Sequence, residues 1–154
     1  MNVSKHFTVS AYIANTKTRK ILLIHHKIFN LWIGPGGHID EHEDIEEALL
    51  REVREETGIK KLTLFSPEPI QKLGKSRGLR LQNFIELHTV PGDGGTRIKH
   101  DHINFVFYGK TDETKLVLAQ HEHYDMGWFT IDEAKKLKTD KATIYHMEQV
   151  LKNI

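Results

Sequence analysis

The chain has 154 residues, 28% of them charged and 38% apolar, with a formal net charge of +1 and no cysteine. This composition excludes a disordered polar chain, and the missing thiols exclude disulfides, thiolate metal centres and a cysteine nucleophile. No apolar run reaches the length of a membrane helix, and residues 1–8 lack the layout of a secretory leader, so a cytoplasmic location is expected.

In chain order, residues 7–14 alternate and are rich in β-formers, which predicts a strand, and residues 21–26 form a second apolar strand. The polar residues 15–20 between them predict a hairpin. Residues 31–33 read as a short strand ending at the breaker Gly34-Pro35-Gly36-Gly37. A helix follows over residues 44–57, stopped by Gly58 as its C-cap. Residues 61–65 predict a strand, residues 66–78 a loop, and residues 79–90 one or two strands. The segment 91–95, Pro-Gly-Asp-Gly-Gly, predicts an exposed turn. Residues 102–108 are apolar on both faces, which predicts a central strand. Trp128 and Phe129 form a short strand. Thr130 to Glu133 has the capping-box form and opens a helix through Leu137. A last helix runs over residues 142–152, with Ile144, Met147, Val150 and Leu151 on one face. The chain shows no internal repeat, and the order gives an α+β class in one domain over residues 1–154.

The small net charge hides a local imbalance. Residues 37–59 carry nine acids and two bases, or −7, and the remainder carries twelve acids and twenty bases, or +8. The lysines of the remainder are spread without a basic run, so no DNA partner is expected. With the helix set at about 100° per residue and Ile45 at zero, Leu49 falls near +40°, Ala48 near −60° and Val53 near +80°. Glu52 then falls near −20° and Glu56 near +20°, so both continue the apolar stripe, with Glu55 near −80° beside them. A solvated acidic helix puts its charges on the opposite face. Crowded, inward carboxylates repel one another and lose hydration unless something positive offsets them. Hard dications such as Mg²⁺ take such oxygens together with substrate phosphates. Gly36 and Gly37 lack a Cβ and let backbone approach a ligand closely, so a carbonyl there could add a metal oxygen.

Gly37, Glu43 and the run Arg51-Glu52-Val53-Arg54-Glu55-Glu56-Thr57-Gly58-Ile59 stand at the spacing G-x5-E-x7-R-E-U-x-E-E-x-G-U, U being a bulky aliphatic. This resembles the signature box of the MutT-like Nudix hydrolases at every defined position over residues 37–59. The resemblance implies a mixed β-sheet sandwiched between α-helices. It implies hydrolysis of a nucleoside diphosphate linked to another moiety, with Mg²⁺, or Mn²⁺, as cofactor. It implies that Glu52, Glu55 and Glu56 bind metal with help from the Gly36 carbonyl. Glu43 and Arg51 would brace the loop and helix, and Gly37 and Gly58 would be structural. The family's general base lies either in the box, here Glu55, or on a later loop before a tryptophan, here Glu122 ahead of Trp128.

His38 follows the double glycine and is expected near the phosphates. Lys75, Arg77 and Arg80, in a glycine-containing loop, are candidates for phosphate contact. The histidine groups 25–26, 38, 100–102 and 121–123 show neither the helical i, i+4 spacing nor the cysteine pairing of zinc sites, so no transition-metal site is expected, although His100 and His102 would share a strand face. The region downstream of the box lacks the proline or tyrosine that marks some subfamilies. Nucleoside triphosphates and nucleotide sugars stay open as small-molecule substrates, with an RNA 5′ end as a weaker alternative, and the sequence leaves monomer and homodimer undecided.

Overall fold

The computed structural model describes residues 3–69 and 71–154; Met1, Asn2 and Ile70, the last within the expected loop, lie outside the described residues. In chain order the elements are β1 (Lys5–Asn15), β2 (Ile21–His26), β3 (Leu31–Ile33), β4 (Gly36–His38), α1 (Ile45–Thr57), β5 (Thr63–Leu64), β6 (Phe84–Val90), β7 (His100–Thr111), β8 (His123–Phe129), α2 (Ile131–Ala134) and α3 (Lys141–Leu151). Among the described residues, no helix is long and apolar enough to cross a membrane.

The centre of the sheet is the parallel pair β1–β7, in register from Lys5 with Asp101 to Asn15 with Thr111. The antiparallel hairpin β1–β2 is present, but its strands pair only at Ala14 with Ile21. Beyond that point the strands part: β2 takes β3 on one edge and β8 on the other, while the first half of β1 takes β4. β6 and β5 pair with successive stretches of β7. The sheet is therefore mixed, and the parting of β1 from β2 leaves an opening at one end.

Side-chain alternation along β1 builds two cores. Val9, Ala11 and Ile13 pack with Leu22, Phe107 and the α1 residues Ala48, Leu49 and Val53. Tyr12 and Ala14 pack on the opposite face with Leu23, Val106, Tyr108, Ala134 and the α3 residues Met147 and Val150. The expected sandwich of a mixed sheet between helices is thus the observed one.

Several elements differ from expectation for local reasons. The Gly34–Gly37 breaker contains a strand, because Gly36 and Gly37 pair with Ser10 and Val9. A Cβ on Gly36 would lie 2.1 Å from the Val9 carbonyl oxygen, so only glycine can pair that closely. Residues 79–90 hold one strand, within the expected one or two, whereas the strand at Trp128 begins five residues earlier, at His123, because β2 offers it a long edge. The Thr130 capping box with Glu133 forms as expected. The helix it opens is α only to Ala134 and tightens afterwards into i→i+3 bonds from the N–H groups of Lys136 and Leu137.

The burial of α1 tests the phase argument directly. Leu49 is fully buried and its sequence neighbour Leu50 is 38% exposed. Leu49→Ala is expected to cost about 2–5 kcal/mol of unfolding free energy through lost burial and a residual cavity. Leu50→Ala is expected to stay within about 0.5 kcal/mol. Urea denaturation of the two variants measures both.

Candidate active site

The site is built around the C-terminal half of α1. The helix starts at the N-cap Asp44, whose carboxylate accepts from the N–H groups of Glu46 and Glu47 in a full capping box, and it stops at Gly58 in the left-handed conformation, φ 76°. These caps fix which residues are helical and hence which face turns inward. Ala48, Leu49 and Val53 are buried as expected, with Ile45 only partly covered. Glu52 and Glu56 are buried too, at 9% and 2% exposure.

Glu52 packs against the double glycine. A Cβ on Gly37 would lie 2.4 Å from its carboxylate oxygen, so the glycine is what makes room for that carboxylate. Arg51 Nη1 donates to Glu52 Oε1 at 2.8 Å. Burial, partly offset by Arg51 and reinforced by Glu56, pushes the Glu52 carboxyl up to about 7. Glu56 lies deeper than Glu52. Its Oε2 accepts the Gly36 backbone N–H at 2.8 Å, and its Oε1 is 2.7 Å from His123 Nε2. Burial raises this carboxyl as well, against the pull of His123 and the Gly36 N–H. Gly36 therefore contacts the box through its N–H.

Arg51 acts as a brace. Its guanidinium bonds both oxygens of Glu43, Nε to Oε2 at 2.9 Å, and its Nη2 donates to the His38 carbonyl at 3.1 Å. Glu43 in turn accepts the Asp40 N–H at 2.9 Å, so one side chain ties residues 38–43 to α1. Glu55 lies on the exposed side of the helix, where Arg51 Nη1 reaches it at 3.3 Å.

The opening between β1 and β2 holds a cavity of about 540 Å³. Glu52, Gly36, Gly37, His38 and Glu122 line it, together with Phe29, Lys27, Arg97 and Asn104. Asn104 is fixed by Thr8, Ser10 and Glu86. Glu122 joins Glu56 and His123 in a group whose donor atoms lie within 4.8 Å of one another. Carboxylate oxygens that outnumber their cationic partners and face a Cβ-free cradle fit a hard dication.

Three residues expected to contact phosphate lie away from the cavity wall. Arg80 is buried at 7% and turned away: its Nη1 donates to the Ser66 carbonyl at 2.9 Å, and the guanidinium pairs with Glu46 and Glu68. Arg77 pairs with the N-cap Asp44 at 2.5 Å. The acidic start of α1 draws both arginines, since its exposed N–H end favours carboxylates that need counter-charge. Lys75 is exposed and does not line the cavity. The cations that do line it, Lys27 and Arg97, were not singled out in the sequence, and His123 was noted only as part of a histidine group without a role at the site. Its position next to Glu122 was the available signal, but its contact with Glu56 is long-range.

The raised carboxyls predict a pH dependence for the metal-free protein. Between the ordinary 4.5 and about 7, native Glu52 holds a proton that the unfolded chain has released. Its favourable contribution is complete below 4.5 and is lost as pH rises through 7. Glu52→Gln is therefore expected to gain stability relative to wild type as pH rises from about 5 to about 8. Denaturation in chelator across that range checks it, and added Mg²⁺ should shrink the difference by stabilising wild type.

A family model described as NUDIX domain matches residues 4–149. Nudix hydrolase 6 of Arabidopsis thaliana is 42% identical over 64 residues, which is 38% of this chain and 23% of that protein, so the chain spans less than a quarter of that relative. A hydrolase of the NUDIX family from Clostridium perfringens has a crystal structure that superposes with a TM-score of 0.79 at 28% identity, covering 99% of both chains. A bifunctional NMN adenylyltransferase/ADP ribose pyrophosphatase from Francisella tularensis, solved with AMP and a Mn ion, shares the fold at a TM-score of 0.62 and 19% identity over 99% of this chain and 42% of that one. With the box spacing met at every defined position and the match running through both helical layers and the sheet, this chain belongs to the Nudix family.

Proposed function

We propose that the chain is a divalent-cation-dependent pyrophosphohydrolase acting on a nucleoside diphosphate linked to another moiety. The observation that carries this reading is the burial of Glu52 and Glu56 on the inward face of α1, against Gly36 and Gly37 and beside a cavity of nucleotide size. Buried carboxylates with raised pKa values are costly for folding and useful for holding cations. In this reading Glu52, Glu55 and Glu56, with the Gly36 carbonyl, supply the metal oxygens. Mg²⁺ is the expected ion and Mn²⁺ the alternative, the latter being the ion bound by the Francisella protein. Bound there, the cations would polarise phosphorus and neutralise the charge of the leaving group.

The residues of the chain supply the rest. Arg51 and Glu43 hold the loop before α1 against the helix. His123 holds Glu56 in place from β8. Lys27 and Arg97 offer charge to phosphates, and His38 adds a polar ring at the cavity edge. Phe29 offers a face to a nucleobase. Glu122 is the favoured general base, because it lines the cavity next to Glu56, whereas Glu55 is turned to Arg51. The reading takes a nucleoside triphosphate or nucleotide sugar as substrate, since the cavity matches one small molecule. ADP-ribose, named in the Francisella protein's activity, belongs in the same class.

A panel of nucleoside triphosphates and nucleotide sugars with Mg²⁺ or Mn²⁺, followed by product phosphate analysis, tests the activity. Turnover is expected with at least one class and should vanish in excess chelator. Binding without turnover of any of them would replace the enzyme by a nucleotide-binding module.

Substitutions separate the roles. Glu56→Gln is expected to lower turnover on the order of 10³-fold with the fold intact, since several kcal/mol of transition-state stabilisation rest on a principal metal ligand. Arg51→Ala should lower thermal midpoint and turnover together. Glu122→Gln should lose turnover on a scale comparable to Glu56→Gln, while Glu55→Gln keeps more. The reverse order would move the base to Glu55.

A further inference from the structure

The geometry points to a second metal site, made by His6, His38, His100 and His102, for a transition-metal dication of the zinc class. The four side chains each offer a ring nitrogen, and these atoms all lie within 4.8 Å of one another. They come from three strands. His6 on β1 sits directly opposite His102 on β7 in the parallel register. His100 is two residues away on the same face of β7. His38 ends β4, which pairs along the same stretch of β1.

The His6–His38 contact has the spacing of ligands, and the His100–His102 contact would open slightly around an ion. His6 Nδ1 and His38 Nε2 are 3.3 Å apart, and His100 Nε2 and His102 Nε2 are 2.9 Å apart. Imidazole nitrogens at about 2.0–2.1 Å from a tetrahedral Zn²⁺ stand about 3.3 Å from each other. The tautomer of His100 is fixed by chemistry. Its Nδ1 is 2.8 Å from the Ile98 carbonyl, which can only accept, so Nδ1 carries a proton and Nε2 is the nitrogen left to present a lone pair to a metal. A backbone carbonyl orienting the far nitrogen is the usual outer support of a metal-bound histidine. Among the described residues, the close histidine–carboxylate pairs involve His121, His123 and His146 and none of these four. Imidazoles gathered without a carboxylate in contact form a set of nitrogen donors, which suits Zn²⁺, Ni²⁺ or Cu²⁺ and not Mg²⁺.

The site shares the cavity wall with the box but not its ligands. His38, His100 and His102 line the cavity that Glu52 also lines. The three residues of β4 join the two, since Gly37 lies against Glu52 and His38 lies against His6. A bound ion would clamp β4 to β1 and β7 and so stiffen the strand on which the carboxylate cradle is built.

The experiment uses the untagged full chain, titrated with Zn²⁺ and with Co²⁺ in excess Mg²⁺ to occupy the carboxylates. One equivalent is expected to bind, with visible Co²⁺ absorption of four-coordinate strength and movement of the imidazole nitrogen resonances of His6, His38, His100 and His102. His6→Asn combined with His100→Asn should weaken Zn²⁺ binding by about 100-fold or more, on the scale of losing metal-site partners. His6→Asn alone should keep Mg²⁺-dependent turnover measured without Zn²⁺. Should the double variant fail to fold, the resonances of the wild-type chain still decide. Zn²⁺ that shifts only His123 would place the ion at Glu56 and Glu122 and overturn the assignment. So would Zn²⁺ affinity unchanged in the folded double variant, or imidazole shifts produced by inorganic pyrophosphate but not by Zn²⁺.

Discussion

Two carboxylates held inside one helix face are the constraint on which the rest of the structure depends. Glu52 and Glu56 lie on the stripe that buries Ala48, Leu49 and Val53, so apolar packing and charge burial are enforced by the same rotation of α1. A slip of one residue would turn the helix by about 100° and remove both from the site. The caps at Asp44 and Gly58, the Arg51–Glu43 pair and the packing of Leu49 all oppose that slip. The compensation is incomplete: Arg51 serves Glu52, and His123 with the Gly36 N–H serves Glu56, yet both carboxyls stay above their ordinary range. Negative charge in excess of local positive charge is the property that a dication answers.

The glycines of β4 follow from the same constraint. Gly36 has to pass the Val9 carbonyl, and Gly37 has to leave space for Glu52. Any side chain at either position would force the strand away from β1 or from α1. The opening between β1 and β2 is the topological counterpart. Because these strands share only the pair Ala14–Ile21, the free edge of β1 is available to β4, and the cavity lies in the gap.

The helices, most of the strands and the carboxylate face were legible in the sequence because each rests on periodicity within one segment. Local spacing decided α1, and the box at residues 37–59 repeated that reading at the level of family. Other features depended on pairing between distant segments. β4 read as a turn because Gly-Pro-Gly-Gly is turn chemistry, and only the presence of β1 alongside makes it a strand. Arg80 read as a phosphate ligand because a loop arginine near a glycine is usually free. Its burial against Ser66 and Glu46 requires knowing where α1 begins relative to residue 80. The role of His123 was missed, with the cavity cations Lys27 and Arg97, for the same reason.

The histidines show most plainly what separates local from long-range information. Their spacing in the sequence matches no metal motif, and that absence argued against a transition-metal site. Motifs of that kind describe ligands carried on one helix or one turn. Here the ligand spacing is created by the β1–β7 register, which sets His6 against His102, and by the β1–β4 register, which brings His38 alongside. Strand pairing fixes such distances as firmly as a helical turn does, since a shift of one residue would send each ring to the opposite face of the sheet. The same two registers align Val9 with Gly37 and Thr8 with Asn104, at the carboxylate cradle and the cavity wall. A single pair of strand registers thus sorts hard oxygen donors to one end of β4 and imidazole nitrogens to the other.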